Sequence, residues 1–414
     1  MIINREDFDD SKMEYVTYPR KFKDMEAFLK WRNKNKYRGI KVKAKPRVEI
    51  HKSQMMRKVI ELVVYTVEFP YRALDLIGDK KIFQRIIRRL STLEFYRSPD
   101  GKEEIHTAVL VIYGQGDHKF VRLHKKALPI LEWLGLSEIY QQQIERYTYS
   151  GNEARLENKF RRNEVIALMQ RIGIEFCKDK LPTLQTQDTK NIFSARPMFY
   201  PSKELDKLRK QENKEPIQTQ MAGVIFTSGQ AFPVYNTRNT ILKWQGLYEK
   251  RMFLYVDYLA RRNASVRRIH SAIVFVGKEN NAEEFIRAST LDRGGMYALT
   301  SFYKNIYAVP LDENGARMLR ILAVADGHKK LEEYFCKEEK SISFLDGNMV
   351  RLMQATDTDN VVVYCYPHQG EFIEKYLSNK VKFREVSLDV AEVVLGVQED
   401  EFKIYEVERE LNEE

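Results

Sequence analysis

The sequence predicts a protein of mixed class, α+β / α/β. A helix-rich N-terminal half closes on a β-hairpin, and an α/β half follows. Three observations predict this. From residue 53, two short helical patterns and a third, strongly amphipathic one precede two apolar runs split by a Gly-containing turn. From residue 220, apolar strands alternate with helical patterns, as in a buried parallel or mixed sheet. Between them, residues 178–218 are polar and Lys-rich and carry Pro182, Pro197, Pro201 and Pro216, as a connection does. The expected organisation is a weakly ordered basic arm at 1–50, a first domain at 51–176, a connection at 177–219, an α/β domain at 220–397 and an acidic tail at 398–414.

Each element has its own justification. SQMMRKVIELVVYTVEF reads as a helix capped by Ser53. PYRALDLIG places Pro70 in a first helical turn and Gly78 at the end. In KKIFQRIIRRLSTLEFYRSPDG, residues 80–101, the apolar residues Ile82, Phe83, Ile86, Ile87, Leu90 and Leu93 form one helical stripe, and Lys81, Gln84, Arg85, Arg88 and Arg89 form the opposite face. In IHTAVLVIYGQGDHKFVRLH, two strands flank Gly-Gln-Gly-Asp-His. KKALPILEWLG and ENKFRRNEVIALMQRIGIEF are helical. In the second half, MAGVIFT, AFPVYN, HSAIVFVG, NIYAVPLD and NVVVYCYP read as strands. LKWQGLYEKRMFLYVDYLARR, NAEEFIRAS, ENGARMLRILAV and GEFIEKYL read as helices.

Composition narrows the function. Of 414 residues 43% are hydrophobic, which excludes wholesale disorder, and the net charge of +10 favours an anionic partner. The charge is uneven. Residues 20–58 hold 15 Lys/Arg against 3 Asp/Glu, and residues 399–414 hold 8 acids against 2 bases. Trp31 and Tyr37 sit among the arm's cations, which fits either a segment coating a phosphate backbone or a basic linker with one short helix. Cys177, Cys336 and Cys365 lie far apart, with no CxxC and no His/Cys cluster, so reduced thiols are expected and a zinc site is not. The start, MIINREDFDD, is no signal peptide, and no window is apolar enough to span a bilayer; a cytoplasmic protein without a membrane is expected.

Helix, helix, basic helix, strand–turn–strand is the order of a winged helix-turn-helix, in which the third helix enters the major groove and the hairpin lies along the backbone or minor groove. Arg pairs bidentately with guanine and Gln with adenine. Lys81, Gln84, Arg85 and Arg88 are therefore expected to face the groove, with His118 and Lys119 at the wing tip, and Lys80, Arg89, Arg97 and Lys102 on phosphates. The expected partner is double-stranded DNA; the alternative is a winged helix that docks only protein.

IIRRLSTLEFYRSPDG followed by HKFVRLHKKALPIL resembles the N-terminal winged helix of the replication-relaxation family, encoded on plasmids and integrative elements of Gram-positive bacteria. AGVIFTSGQAFPVYNTRNTILKW also resembles the C-terminal half of related mobile-element proteins. The resemblance covers residues 53–135 loosely and 220–280 more loosely. It implies DNA binding in plasmid replication or relaxation, with protein partners of a replication or conjugation complex.

The β-β-α-β order around residues 221–276 resembles a restriction-endonuclease-like core. Such cores hold a divalent metal with an acid on one strand and an acid-x-Lys pair on the next. Neither AGVIFTSG nor FPVYNT carries a carboxylate, and Ile241 stands two residues before Lys243, so a degenerate, non-enzymatic core without metal or cofactor is expected. The chain has no GxxxxGK[ST], GxSxG, HxH or HExxH. The rival class is a DNA nickase using Tyr235, or a nuclease with displaced acids. In VYNTRNTILKW, Tyr235, Asn236 and Arg238 are candidates for an anion or partner contact at a strand end; a plain helix cap is the alternative.

Overall fold

A computed structural model describes residues 47–145, 153–176, 197–211, 217, 219–227, 230–238, 246–263, 268–277, 299–324, 326–336, 342–358 and 361–397. The acidic tail, most of the basic arm, Cys177 and the helix expected over NAEEFIRAS lie outside these residues.

The first helix, α1 (Gln54–Thr66), starts where the capping residue dictates: Ser53 Oγ accepts from Met56 N at 3.3 Å. It buries Met56, Val59, Ile60, Leu62, Val63 and Val64. Pro70 belongs to a two-residue strand, β1 (Phe69–Pro70), rather than to a first helical turn, and a 3-10 turn (Tyr71–Ala73) leads into α2 (Leu74–Ile77). Gly78 turns the chain at φ +146°, where a Cβ would stand 2.8 Å from the Phe83 ring. Asp79 then caps α3 (Lys80–Leu90), its Oδ1 accepting from Lys81 N at 2.7 Å and Ile82 N at 3.3 Å. The apolar stripe buries Phe83, Ile86, Ile87 and Leu90, with Ile82 packed beside them. Leu93 leaves the stripe: it lies beyond the helix end and is 40% exposed.

Two hairpins follow where one was expected. The Ser-Pro-Asp-Gly turn closes β2 (Glu94–Arg97) on β3 (Glu104–Thr107). The anticipated hairpin is β4 (Leu110–Tyr113) with β5 (Phe120–Leu123), paired from Leu110↔Leu123 to Tyr113↔Phe120. β1 lies antiparallel to β5, so the order is β1-β5-β4. Then come α4 (Leu128–Trp133), α5 (Ser137–Glu145) and the long α6 (Glu153–Arg171).

The second half is built on a mixed sheet. Its main strands are β7 (Met198–Pro201), β8 (Met221–Thr227), β9 (Gln230–Arg238), β10 (Ser271–Val276) and β11 (Asn305–Pro310), extended at the β7 edge by the two-residue β6 (Glu175–Phe176). The β7–β8 and β8–β9 pairs are antiparallel, the β9–β10 and β10–β11 pairs are parallel, and β6 runs parallel to β7. The stretch 177–219 is thus more than a connection: it supplies β7, paired Met198↔Phe226, and α7 (Ser202–Gln211). Polarity hid them, because the buried Met198, Phe199, Tyr200, Ser202 and Leu205 are set in a stretch that is otherwise mostly polar. The crossover α8 (Gly246–Asn263) joins β9 to β10, and α9 (Glu313–Ala323) and α10 (Gly327–Phe335) follow β11. A small parallel sheet, β12 (Ile342–Phe344), β13 (Val362–Cys365) and β14 (Lys382–Glu385), alternates with α11 (Met349–Thr356), α12 (Pro367–Tyr376) and α13 (Leu388–Leu395).

Successive strand residues divide between two cores, as a period of two requires. Phe232, Val234, Ile273, Phe275, Tyr307 and Val309 join a core that includes α1, α3, α6, α9 and α13. Tyr235, Ala272, Val274, Ile306 and Ala308 join another with α8, α11 and α12. The N-terminal helices and α13 therefore lie on the same side of the mixed sheet.

Candidate nucleic-acid interface

Amphipathic periodicity decides what α3 shows to solvent. Burying Phe83, Ile86, Ile87 and Leu90 turns Lys80, Lys81, Arg85 and Arg88 outward, all four exposed, with Gln84 and Arg89 at the half-buried flanks. No ion pair joins Lys80, Lys81, Arg85 or Arg88 to another described residue. Four cations within nine positions of one helix face therefore keep their charge available, and only the Asp79 cap carries negative charge at its start.

The other expected DNA contacts sit differently. Arg97 lies on the β2–β3 hairpin, 3.4 Å from Glu104, which also pairs with Arg47 at 3.2 Å. Lys102, exposed at the tip, lies 3.7 Å from Asp100. Glu94 and Glu103 leave this hairpin acidic on balance. At the β4–β5 turn, His118 Nε2 meets Glu153 Oε1 at 2.6 Å, and the Lys119 ammonium stands 4.0 Å above the Tyr71 ring. Both side chains are engaged within the protein, although the His118 side chain stays 44% accessible. Tyr113 is the exposed aromatic of this hairpin, 46% accessible and stacked on Phe120 with ring centroids 5.6 Å apart.

Tyr235, Asn236 and Arg238, expected at a solvent-facing anion site, face inward. Tyr235 is 1% exposed, its hydroxyl 3.0 Å from that of Tyr303, and burial raises its phenol well above the ordinary value. Such a hydroxyl reaches no DNA phosphate. Asn236, also buried, donates through Nδ2 to Arg161 O at 2.9 Å and Glu164 Oε2 at 3.0 Å. Arg238, at φ +48° at the end of β9, places Nη1 2.7 Å from Glu164 Oε1. The helix-cap alternative falls on residues outside those described.

Comparison with protein-family models, curated proteins and solved structures finds no match. The likeness to the replication-relaxation family rests on the motifs quoted above. Among the described residues no group of three His, Cys, Asp or Glu is placed to hold a metal ion, and no helix is long and apolar enough to cross a membrane.

The residue that sequence reasoning missed is Glu164. Three consecutive side chains of α6 reach three directions. Arg162 donates to Thr219 O at 2.7 Å, Asn163 donates to Glu68 O at 2.7 Å, and Glu164 gathers cations from both halves of the chain. Its Oε1 accepts from Arg72 Nε at 2.7 Å as well as from Arg238. Arg72 is held further by Glu157, bidentately at 2.8 Å for each bond. Burial pushes the Glu164 carboxyl up even with Arg72 and Arg238 beside it. Glu157 is pushed up by its partial burial too, but its bonds to Arg72 and Arg161 hold it below the usual range. The signal in the sequence was a lone acid abutting the apolar run Val165-Ile166-Ala167-Leu168-Met169; its partners lie 92 and 74 positions away.

Proposed function

We propose that the chain is a non-enzymatic DNA-binding accessory protein of a mobile genetic element, acting in replication control, relaxosome assembly or transcription regulation. In this reading residues 54–123 form a winged helix-turn-helix, α3 is the recognition helix and β4–β5 the wing. The observation that carries it is the exposed face of Lys80, Lys81, Arg85 and Arg88, uncompensated by any described acid, on a helix whose other face is locked in a core. The helix–strand–helix–helix order, followed by β4–β5 after the inserted β2–β3 hairpin, with β1 paired to β5, supports the same reading. The contact set contracts accordingly. Lys80, Lys81, Gln84, Arg85, Arg88 and Arg89 stay at its centre. Arg97, Lys102, His118 and Lys119 are peripheral, because acids or an aromatic ring already engage them.

For the second half we infer a nuclease-like scaffold without nuclease chemistry. β7, β8 and β9 form an antiparallel run, and α8 then crosses to a parallel β10. On β9, Asn236-Thr237-Arg238 stands where an acid-x-Lys pair would supply a metal ligand and a cation. Asn236 brings no negative charge to a divalent ion, and its Oδ1 already accepts from Arg238 N at 3.1 Å. The carboxylate facing it, Glu164, is already shared by two guanidiniums.

The test is a salt titration of duplex DNA binding by anisotropy, for wild type and for Arg85→Ala and Arg88→Ala. Each arginine that pairs to a base should cost about 1–3 kcal/mol, and each lost phosphate contact should flatten the slope of log K against log salt by about 0.9. Variants that bind as wild type does, or a wild type that binds no duplex, would overturn the reading.

A further inference from the structure

We propose that the acidic segment 398–414 docks on the cationic face of α3 and competes with DNA for it. This rests on the DNA-binding reading above for its consequence, but the docking itself rests on charge and placement. The α3 face presents Lys80, Lys81, Arg85 and Arg88 with no described acid to balance them. Residues 399–414 carry 8 acids against 2 bases, the densest negative charge at either end of the chain.

Placement favours this pairing over an arbitrary one. The segment leaves the fold at the end of α13, and Leu388 and Ala391 of α13 belong to the same core as α3. A short series of contacts links the two. Arg171 Nη1 donates to Asp75 O in α2 at 3.3 Å, and Arg171 Nη2 meets Glu313 Oε1 at the start of α9 at 3.0 Å. One turn along α9, Arg317 binds Glu392 at 2.5 Å and also Asp389, both on α13. Asp75 is five residues before Lys80. Seventeen residues extend at most roughly 56 Å, while the 11-residue α3 is only about 16 Å long. A flexible tethered segment that spans to its site has an effective concentration on the order of millimolar. Its hold on α3 should weaken as salt rises and screening shortens.

The experiment uses the full chain with a photo-reactive benzoylphenylalanine in place of Tyr405. Beside it stand a full-length variant whose acids in 399–414 are changed to Gln or Asn, and a chain ending at Val397. The expected crosslink falls within residues 80–90 and disappears in Lys81→Ala/Arg85→Ala/Arg88→Ala. Neutralising or removing the tail should tighten DNA binding about tenfold at ~0.05 M salt and leave it unchanged near ~0.5 M. A crosslink elsewhere, for instance in the basic residues 20–46, or equal DNA affinity of all three forms at low salt, overturns the docking while leaving the DNA-binding reading intact. A crosslink on 80–90 in a protein that binds no duplex in any form keeps the docking and sinks the DNA-binding reading instead.

Discussion

Glu164→Ala tests whether the buried carboxylate fastens the N-terminal helices to the sheet. The substitution removes the acceptor of three bonds, from Arg72 Nε, Arg238 Nη1 and Asn236 Nδ2. Breaking a buried ion pair by deleting one partner costs about 3–5 kcal/mol, because a charge is left uncompensated. Two features of the geometry reduce that here. Arg72 keeps both bonds to Glu157, and Asn236 keeps Arg161 O. The Arg238 side chain is 27% exposed and can turn toward water. The expected loss is therefore about 2–4 kcal/mol. Glu157→Ala should cost less, about 1–2 kcal/mol, since Glu157 is the more exposed of the two acids, 23% against 1%. Urea unfolding followed by far-UV dichroism and by Trp133 fluorescence measures both. Hydrogen exchange adds a spatial readout: in Glu164→Ala, amides of residues 69–73 and 234–238 should lose protection together, although they lie more than 160 positions apart. A double-mutant cycle of Arg72→Ala with Arg238→Ala should show coupling, because the two guanidiniums share Oε1. A Glu164→Ala protein within about 0.5 kcal/mol of wild type, with unchanged exchange in both segments, would refute the reasoning.

Three further outcomes are expected. Ile86→Ala and Leu90→Ala, both buried on α3, should each destabilise the protein by about 2–5 kcal/mol, whereas Arg85→Ala and Arg88→Ala should change stability by less than about 0.5 kcal/mol; melting curves that fail to separate the pairs would mean the helix phase is wrong. Purified protein should neither nick nor cut supercoiled plasmid with magnesium or manganese; robust cleavage abolished by Glu164→Gln would restore the nuclease reading. Burial, aided by Arg162 and Lys159, pulls Lys203 down to about 8. Its unfolded value is about 10.4, so the folded chain binds fewer protons between those values, and this group's contribution to stability rises with pH across that window. Lys203→Met should accordingly stabilise the protein by about 1–3 kcal/mol at pH 7, and the gain should shrink as pH passes 8; a pH-independent difference would contradict the burial of the charge.

Local physics made much of the fold legible. Ser53 as a cap, Gly78 as a break and the 3.6-residue stripe through Phe83, Ile86, Ile87 and Leu90 are signals confined to a few neighbouring residues, and α1, α2 and α3 lie where they point. The continuous apolar runs of β8, β9 and β10 were legible because both faces of those strands are covered. β7 escaped because its four residues are set in a polar, proline-bearing stretch, and their strand character comes from pairing with β8. The β2–β3 hairpin escaped because Glu94, Arg97 and Glu104 give it a polar surface, while of its strand residues only Tyr96 and Thr107 are buried.

The interface was legible in the same uneven way. Which α3 residues point outward follows from the helical period. Which cations remain available does not, because that depends on partners distant in sequence. His118 reads from the sequence as a free wing-tip base contact, yet Glu153 stands 2.6 Å from it. Arg97 reads as a phosphate contact until Glu104 folds back beside it. Arg238 reads as an anion site beside a strand end, and Glu164 turns out to be the anion. In each case a basic side chain that looked poised for DNA stands beside an acid supplied by another element, so a count of basic residues overstates the surface that can hold a nucleic acid. What separates Lys81, Arg85 and Arg88 from the rest is that all three are exposed on α3 and no described acid forms an ion pair with them. The proposed DNA contact therefore centres on these positions and not on the others, and Arg85 and Arg88 are where an affinity measurement decides most.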